Sequence, residues 1–321
     1  MTEGGVLIFS EQREGTPVEV ALQLLRKGRE LAQQCGCPLY SVTVGPVSCR
    51  AALSAAGAEH IFWIQSEERF PQDIYSHALA KLIGRIRPEI VLFGATALGR
   101  SLAPRVAVQL QTGLTADCTG LKIDRESGNL LQTRPTFGGN LIATIACPDR
   151  RPQMATVRPG VFPAPEGTLS GLAPVEVLSL GLRGVRTEIL SWLPEQGGVD
   201  ISRAKILVVA GRGIGRKQNM EGVRHLAALL GGDYGVSRPL VDASWADYSH
   251  QVGQTGRAVV PDLLISLGIS GAVQHLAGIG GAKKIIVVNS DPDAPIFSTA
   301  HVPIVADCVA VMEELISALE K

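Results

Sequence analysis

The chain has 321 residues, of which 45% are hydrophobic and 4% aromatic, with 36 glycines and 19 prolines. This length exceeds what one core usually serves, so about two domains are expected, and the composition favours repeated strand-loop-helix units of the α/β class. Lys plus Arg and Asp plus Glu both number 30, so the net charge is zero and no basic run indicates a nucleic-acid partner.

Membrane and metal signals are weak in this sequence. The N-terminal segment lacks the basic region and long apolar core of a secretion signal, and no apolar run reaches about 18 residues. We therefore expect a cytoplasmic protein that does not span a membrane. The six cysteines form no Cys-x-x-Cys pair, which predicts scattered reduced core thiols and no zinc or iron–sulfur site.

Short apolar runs alternate with helical segments in the N-terminal part of the chain. Four such units in order imply a parallel sheet covered by helices on both faces. The predicted strands are Val6–Phe9, Leu39–Val44, His60–Ile64 and Glu89–Phe93, and the predicted helices are Pro17–Cys35, Cys49–Ala56, Tyr75–Ile86 and Gly99–Leu110.

After Gly113 the pattern becomes rich in short strands, and Asp124–Gly128 is predicted to form a hairpin turn. A polar, breaker-rich segment follows, so we divide the chain into an N-terminal domain (1–194), a linker (195–203) and a C-terminal domain (204–321). The predicted strands before the linker are Leu121–Asp124, Leu130–Thr133, Asn140–Cys147, Gln153–Val157, Val175–Leu180 and Thr187–Leu193.

The C-terminal domain again alternates strands and helices. We therefore predict an α/β protein with an N-terminal doubly wound, mostly parallel sheet carrying added β-strands, and a second doubly wound domain. The predicted C-terminal elements are strands Lys205–Ala210, Pro261–Leu267 and Lys284–Asn289, and helices Asn219–Leu230, Ala272–Ala277 and Val309–Leu319.

A phosphate site is indicated where the apolar run Leu263–Leu267 stops at Gly268 and leads through Ser270 into a helical segment. That order aims unpaired backbone N–H groups at an anion, although an ordinary strand-helix turn also often contains glycine. His275 lies one turn into the helix. Its cationic form could face a flavin or nicotinamide ring, and the alternative is a neutral capping or core histidine.

Three further side chains add to this hypothesis. Arg212, in a glycine-rich strand exit, could pair with a pyrophosphate, but the loop lacks the full spacing of an NAD fingerprint. Arg238, in S-R-P-L-V-D, which we interpret as a loop, could stack on a flat ring, and Thr255 could donate a hydrogen bond to it. Each is also compatible with a solvated loop residue.

At these motifs the sequence resembles the α subunit of electron-transfer flavoprotein. The first domain matches less sharply, through G-A-T-A-L-G-R-S-L-A-P-R-V-A (Gly94–Ala107) and G-L-T-A-D-C (Gly113–Cys118). The second domain matches nearly throughout, in the stretches K-I-L-V-V-A-G-R-G, S-R-P-L-V-D, Q-V-G-Q-T-G, P-D-L-L-I-S-L-G-I-S-G-A-V-Q-H-L-A-G, V-V-N-S-D-P-D-A-P-I-F and V-A-D.

The resemblance implies an αβ heterodimer in which FAD is held mainly by the C-terminal domain of the α subunit, with the N-terminal domain contacting the β subunit. The implied FAD-binding residues are Arg212, Ser237, Arg238, Val252, Gly253, Gln254, Thr255, Gly256, Ser270, Gly271, Ala272, Val273, Gln274, His275, Asn289 and Asp307.

It also implies individual roles. Arg212 would lie along the adenosine-pyrophosphate part, while Arg238 with Ser237 would lie over the flavin ring. Thr255 beside Gln254 would hydrogen-bond the reactive ring nitrogen. Residues 270–275 would wrap the phosphates and ribityl chain, with His275 near the pyrimidine carbonyl, where it would stabilise the anionic semiquinone of the flavin. The adenosine end would be held by Asn289 and Asp307.

The implied function is a redox relay, which needs no catalytic acid, base or nucleophile. Its expected partners are a flavin dehydrogenase such as acyl-CoA dehydrogenase, and ferredoxin or a quinone-reducing acceptor. T-R-P-T-F-G-G-N (Thr133–Asn140) and R-P-Q-M-A-T-V-R-P-G (Arg151–Gly160) resemble the nitrogen-fixation and anaerobic branch. Some members of that branch bifurcate electrons from NADH with a second FAD in the β subunit.

Other classes of protein remain open from the residues. A pyridine-nucleotide-dependent oxidoreductase subunit would use G-R-G-I-G (Gly211–Gly215) as its dinucleotide loop. A thiamine-diphosphate enzyme subunit is disfavoured because the sequence lacks a convincing G-D-G followed by a metal-binding Asn. A nucleotide-sensing module without redox activity is a further alternative. A flavin spectrum in the complex with the neighbouring subunit would separate these classes.

Overall fold

The structure is a computed structural model that describes residues 4–45, 47–65, 72–136, 141–165, 171–178 and 200–321. The chain divides into two compact units, residues 1–135 with 142–193, and residues 194–321 with 136–141. Within the described ranges, no helix combines the length and apolar character needed to cross a membrane. The prediction of a two-domain α/β protein is confirmed.

The N-terminal part of the chain contains twelve strands and four α-helices among the described residues. The strands are β1 (Val6–Phe9), β2 (Gln12–Arg13), β3 (Thr16–Pro17), β4 (Leu39–Val44), β5 (His60–Ile64), β6 (Ile90–Gly94), β7 (Leu114–Cys118), β8 (Gly120–Ile123), β9 (Leu130–Thr136), β10 (Leu141–Ile145), β11 (Gln153–Val157) and β12 (Val175–Leu178). The helices are α1 (Glu19–Cys35), α2 (Arg50–Ala55), α3 (Gln72–Ile86) and α4 (Ala97–Leu110).

Seven of these strands form a parallel sheet in the order β12-β5-β4-β1-β6-β11-β7. Successive side chains of a strand point to opposite faces, so each strand contributes to two cores. Val6 and Ile8 belong to the core cluster that includes α1 and α2 residues, while Leu7 and Phe9 belong to the one with α3 and α4. Both faces of the sheet are therefore covered, as the sequence predicts.

The hairpin at Asp124–Gly128 is confirmed. β8 and β9 are antiparallel, and the amide of Gly128, at a φ of 69°, donates to the carbonyl oxygen of Asp124 at 2.9 Å. Strand β7 was not predicted, and it joins the parallel sheet together with β11 and β12. The predicted strand Thr187–Leu193 and residues 195–199 of the predicted linker lie outside the described residues.

The interpretation of all six cysteines as core thiols was partly wrong. All six are free, but Cys49, Cys118 and Cys308 alone are buried, whereas Cys35 is exposed and two others are half-buried. Cys35 is the last residue of α1, and the chain leaves the helix there through a left-handed glycine. A helix end at the surface explains its exposure.

The second unit is a five-stranded sheet among the described residues, with every neighbouring pair parallel. Its strands are β13 (Ile206–Ala210), β14 (Asp233–Val236), β15 (Leu263–Leu267), β16 (Lys284–Asn289) and β17 (Val302–Val305), and its helices are α5 (Met220–Leu229), α6 (Arg238–Asp242), α7 (Val273–Ile279) and α8 (Cys308–Leu319). Strands β14 and β17 were not predicted.

The interpretation of S-R-P-L-V-D as a loop was wrong. Arg238 begins the short helix α6, with Ser237 as its N-cap residue. Pro239 falls in the first turn, where its missing N–H removes no intrahelical hydrogen bond. Proline would break a helix in its interior, but it is tolerated in the first turn.

Strand order defines where a ligand would bind this unit. The order is β14-β13-β15-β16-β17, the 2-1-3-4-5 arrangement of flavodoxin-like sheets. The chain leaves β13 to one side for β14 and then returns to the other side for β15, so the connections diverge between β13 and β15. In open α/β sheets, ligands bind at the carboxyl ends of the strands beside such a switch point.

Candidate cofactor-binding site

The sequence-predicted site residues gather at one edge of the second sheet. Because all five strands are parallel, their carboxyl ends share this edge. Arg212 follows β13, Ser237 and Arg238 follow β14, the segment 270–275 follows β15, Asn289 ends β16 and Asp307 follows β17. Residues 252–256 lie in the connection between β14 and β15.

Glycines let the two loops at the switch point meet backbone to backbone. The amide of Gly211 donates to Leu267 O at 2.8 Å, and that of Gly213 to Gly268 O at 2.9 Å. A Cβ atom built on Gly211 would lie 2.3 Å from Gly268 O. Gly268 itself has a φ of 62°, a conformation that side chains rarely adopt. Side chains at these positions would force the loops apart.

The loop after β15 is held by Asn289, which is 8% exposed. Its Nδ2 donates to Ile269 O at 2.7 Å, and its Oδ1 accepts the amide of Asp291 at 3.0 Å. Ser270 O accepts the amide of Ile296 at 3.1 Å, so the loop is fixed from two sides. The amide group of Asn289 is thus engaged by the protein.

Residues around Gly253 rest on the start of α7. The amide of Gln254 donates to Gln274 O at 2.7 Å, and the amide of Val252 donates to Val236 O at 2.9 Å. A Cβ atom on Gly253 would lie 3.0 Å from Gln274 O. Val252 and Gly253 are buried by these contacts, whereas Gln254 and its neighbour Thr255 are exposed.

His275 is buried, with 6% of its surface exposed. Its Nδ1 lies 3.1 Å from Val252 O. A carbonyl oxygen only accepts, so Nδ1 carries the hydrogen and Nε2 of the neutral ring carries a lone pair. Nε2 is buried and makes no hydrogen bond to the described residues. Burial lowers the pKa of His275, against the opposing effect of the bond to Val252, so the imidazole is neutral near pH 7.

The two arginines of the site differ in their contacts. Arg238 Nε lies 3.5 Å from Asp242 Oδ2, with 67% and 64% of the two side chains exposed, so this ion pair is weak. Arg212 is exposed and begins a one-turn helix (Arg212–Ile214) directly after β13. Both guanidinium groups are therefore accessible to an anion or a flat ring.

Asp307 caps the helix that follows β17. Its Oδ1 accepts the amides of Val309 at 2.8 Å and Ala310 at 3.0 Å. This is the usual role of an aspartate before a helix. Its second carboxylate oxygen makes no hydrogen bond to the described residues and is accessible at this exposed position.

These groups fit a dinucleotide with a flat ring. Guanidinium groups and the amides at the start of α7, which have no intrahelical acceptors, suit phosphates. Hydroxyls and a buried imidazole with an unpaired Nε2 suit the polar edge of a ring. The unit is thus a doubly wound domain of the class that binds dinucleotides, and the candidate residues lie at the carboxyl edge of its sheet, beside the switch point.

Comparison with known families agrees with this class. Residues 6–181 match the family described as "Electron transfer flavoprotein domain", and residues 200–280 match the "Electron transfer flavoprotein FAD-binding domain". The chain therefore belongs to the electron transfer flavoprotein α-subunit family. It binds FAD, transfers electrons, and, as an α subunit, pairs with a β subunit.

Curated relatives are similar along almost the whole chain. An electron transfer flavoprotein subunit alpha of Clostridium acetobutylicum is 45% identical, over 98% of this chain and 96% of that protein. Protein FixB of Bradyrhizobium diazoefficiens is 43% identical, over 98% and 88%. The lactate dehydrogenase (NAD(+),ferredoxin) subunit LctC of Acetobacterium woodii is 38% identical, over 98% and 77%.

One solved structure that was matched is the thiamine diphosphate-dependent 4-hydroxybenzoylformate decarboxylase of Rhodococcus jostii RHA1. It is 11% identical in sequence, the match covers 98% of this chain and 59% of that chain, and the TM-score is 0.24. A similarity at this level supports no conclusion about fold or function.

Two buried residues next to the candidate site, Gln251 and His250, were not predicted from the sequence as site residues. Gln251 is 3% exposed, and its Nε2 donates to Thr255 Oγ1 at 3.0 Å. His250 stacks on Tyr234, with ring centroids 4.1 Å apart. Gln251 opens the motif Q-V-G-Q-T-G, which was the available signal, whereas the contact of His250 depends on β14, which was not predicted.

Proposed function

We propose that FAD lies along the carboxyl edge of the second sheet, with its pyrophosphate near Arg212 and residues 270–274 and its flavin ring near Arg238, Thr255 and His275. The observation that carries this proposal is the buried, unpartnered Nε2 of His275. A buried polar atom without a partner is costly, so its presence at a ligand edge favours a partner supplied by the cofactor.

His275 has a defined range of action in this proposal. Its Nδ1–H is committed to Val252 O, so the cofactor meets Nε2 alone. The neutral ring accepts a hydrogen bond there, and after gaining a proton it donates one and brings a positive charge. Negative charge beside Nε2 would raise the pKa of His275 and draw a proton to that atom. The flavin itself supplies the electron-transfer chemistry.

The adenosine end is assigned to Asp307 and to the loop that Asn289 holds. Asn289 acts through the loop after β15, since both ends of its amide bind the protein. Asp307 retains one carboxylate oxygen that can accept from a ribose hydroxyl. The site therefore combines direct contacts with residues that fix the loops.

The test is FAD content and affinity in the heterodimer co-expressed with its β subunit. Arg212→Ala and Arg238→Ala are expected to lower FAD content, and Arg216→Ala is the matched control, an exposed arginine in the same loop region. A yellow wild-type complex with unchanged FAD in both site variants would refute the assignment. A colourless complex that binds NADH would favour the pyridine-nucleotide alternative.

We further propose that the complex draws electrons from NADH and divides them between two acceptors. Support comes from the relative LctC, whose name pairs NAD(+) with ferredoxin. Two flavins per heterodimer, one of them reduced by NADH, would support bifurcation. One flavin, reduced by an acyl-CoA dehydrogenase and oxidised by a quinone-reducing acceptor, would support a simple relay and refute bifurcation.

A further inference from the structure

The hydroxyl of Thr255 has a fixed hydrogen-bond polarity. Its Oγ1 accepts from Gln251 Nε2 at 3.0 Å, and the hydroxyl of Tyr248 donates to the carbonyl oxygen of the same threonine. A hydroxyl has one hydrogen to donate and two lone pairs to accept with. Oγ1 makes no other hydrogen bond to the described residues, so its hydrogen is available to an acceptor on a bound ligand.

The backbone of Gln251 is fixed by two hydrogen bonds. Its main-chain N–H donates to Tyr248 O at 3.0 Å, and its main-chain carbonyl oxygen accepts the main-chain N–H of Arg257 at 2.7 Å. A Cβ atom on Gly256 would lie 2.9 Å from Gln251 Cγ, so the backbone of the loop closes over this side chain. The side chain is buried, packs against Gly256 and already donates to Thr255, so it is a preorganised donor.

We propose that Gln251 is a positioning residue that sets the direction of the Thr255 hydroxyl, so that this hydroxyl donates to an acceptor nitrogen of the flavin ring. The inference rests on the proposed function, because it needs Thr255 to contact the flavin. Without the donor behind it, the threonine hydroxyl can turn and donate inward. Gln251 makes the outward donor the favoured state.

The substitution Gln251→Glu inverts this polarity with little change in shape. A carboxylate only accepts, so it takes the hydroxyl hydrogen of Thr255 and removes the outward donor. A protonated carboxyl group can donate to Oγ1 again. The effect of the substitution is therefore expected to grow as the pH rises through the pKa of the introduced carboxyl group, a pH profile that a merely structural residue does not produce.

The experiment is a double-mutant cycle in the FAD-loaded heterodimer, with Gln251→Glu, Thr255→Val and the double variant. The dissociation constant of FAD and the midpoint potential of the flavin are measured for each. Loss of one neutral hydrogen bond raises the dissociation constant roughly 2- to 12-fold. We expect Gln251→Glu and Thr255→Val to shift the potential in the same direction, and the glutamate to have a smaller effect in the valine background.

The outcomes separate the two proposals. If Thr255→Val changes neither affinity nor potential, the threonine does not contact the flavin and the proposed site is wrong there. If Thr255→Val acts but Gln251→Glu has the same effect in both backgrounds, the glutamate acts through charge alone and the positioning role is overturned. An unchanged Gln251→Glu protein overturns it as well.

An uncharged variant, Gln251→Met, keeps the proposal testable if the Gln251→Glu protein folds poorly. Gln251→Met keeps the length of the side chain but neither donates nor accepts through an amide, so the threonine hydroxyl is free to rotate. We expect Gln251→Met to lower the affinity for FAD partially, and to have no further effect when it is combined with Thr255→Val. A full Gln251→Met effect that persists in that background would contradict the role of the amide.

Discussion

The amide nitrogen of Gly213 lies 2.9 Å from the carbonyl oxygen of Gly268, and this hydrogen bond joins the loops that follow β13 and β15. The two residues are also in direct backbone contact, since a Cβ atom on Gly268 would lie 2.7 Å from Gly213 Cα. Both loops lie at the carboxyl edge of the second sheet, beside the switch point. The shape of the edge therefore depends on the absence of two side chains.

Substitution Gly268→Ala should disrupt this edge. The residue has a φ of 62°, and the new methyl group would overlap Gly213, so we expect a loss of at least about 2 kcal/mol in the free energy of unfolding. FAD content should fall with it. Chemical denaturation and the flavin absorbance of the heterodimer measure both.

The control for this prediction is Gly280→Ala. Gly280 is exposed with a φ of −60°, and the nearest atom to a new Cβ is Leu276 O at 3.7 Å. This substitution is expected to be neutral or to stabilise by about 0.4–1 kcal/mol, because alanine restricts the unfolded chain. Equal losses in both variants would contradict the argument from backbone contact.

Burial of His275 should make the apoprotein less stable in acid. Burial lowers the pKa of His275 in the folded chain below its ordinary value of 6.5. The unfolded chain then gains a proton as the pH falls through about 6.5 while the folded chain does not, so the free energy of unfolding decreases there. Denaturation at a series of pH values measures this decrease.

The variant His275→Gln should reduce the pH dependence, because the group that takes up the proton on unfolding is gone. Part of the dependence should persist, since burial also lowers the pKa of His250. His77→Gln, an exposed histidine of the first unit, controls for the loss of one titratable side chain. An unchanged slope in His275→Gln would show that this histidine is not held neutral by burial.

Two substitutions at Asp307 should distinguish its role as a helix cap from a role in FAD binding. Asp307→Ala removes the cap of α8 and should cost about 0.5–2 kcal/mol of stability. Asp307→Asn retains an Oδ1 that accepts the amides of Val309 and Ala310, so stability should be kept. We expect the asparagine variant to bind FAD more weakly, because its amide nitrogen cannot accept from a ribose hydroxyl. Unchanged FAD affinity would mean that Asp307 is a helix cap alone.

The central strands were predictable because strands buried on both faces read as continuous apolar runs. β13 is of this kind throughout, β15 is apolar except for Ser266, and β16 is apolar except for its two end residues. The edge strands were missed for the opposite reason. β14 is D-Y-G-V, only four residues long with an internal glycine, and β17 is V-P-I-V, whose proline argues against a strand unless it lies at an edge. Both lie at the edges of the sheet.

The positions of the site loops were predictable, but the direction of their hydrogen bonds was not. Glycine after an apolar strand indicates a tight turn out of the strand, so Gly211 and Gly268 marked the edge of the sheet where the candidate residues lie. The state of His275, in contrast, depends on Val252, which is 23 residues away in the chain. The sequence is the same whether the imidazole of His275 is protonated or neutral, and only its packing decides between the two states.

Cys37 should be a slow nucleophile at neutral pH. Burial, together with the neighbouring Cys35 thiol, raises the pKa of Cys37 from 9.0 to about 11. Because the thiolate is the reactive form, alkylation should accelerate with pH until about 11. Cys35→Ser removes one cause of the shift and should speed the reaction of Cys37 at neutral pH. Mass spectrometry of the alkylated peptide measures the rate, and a plateau near 9.0, the ordinary thiol pKa, would show that burial at the end of α1 does not protect this residue.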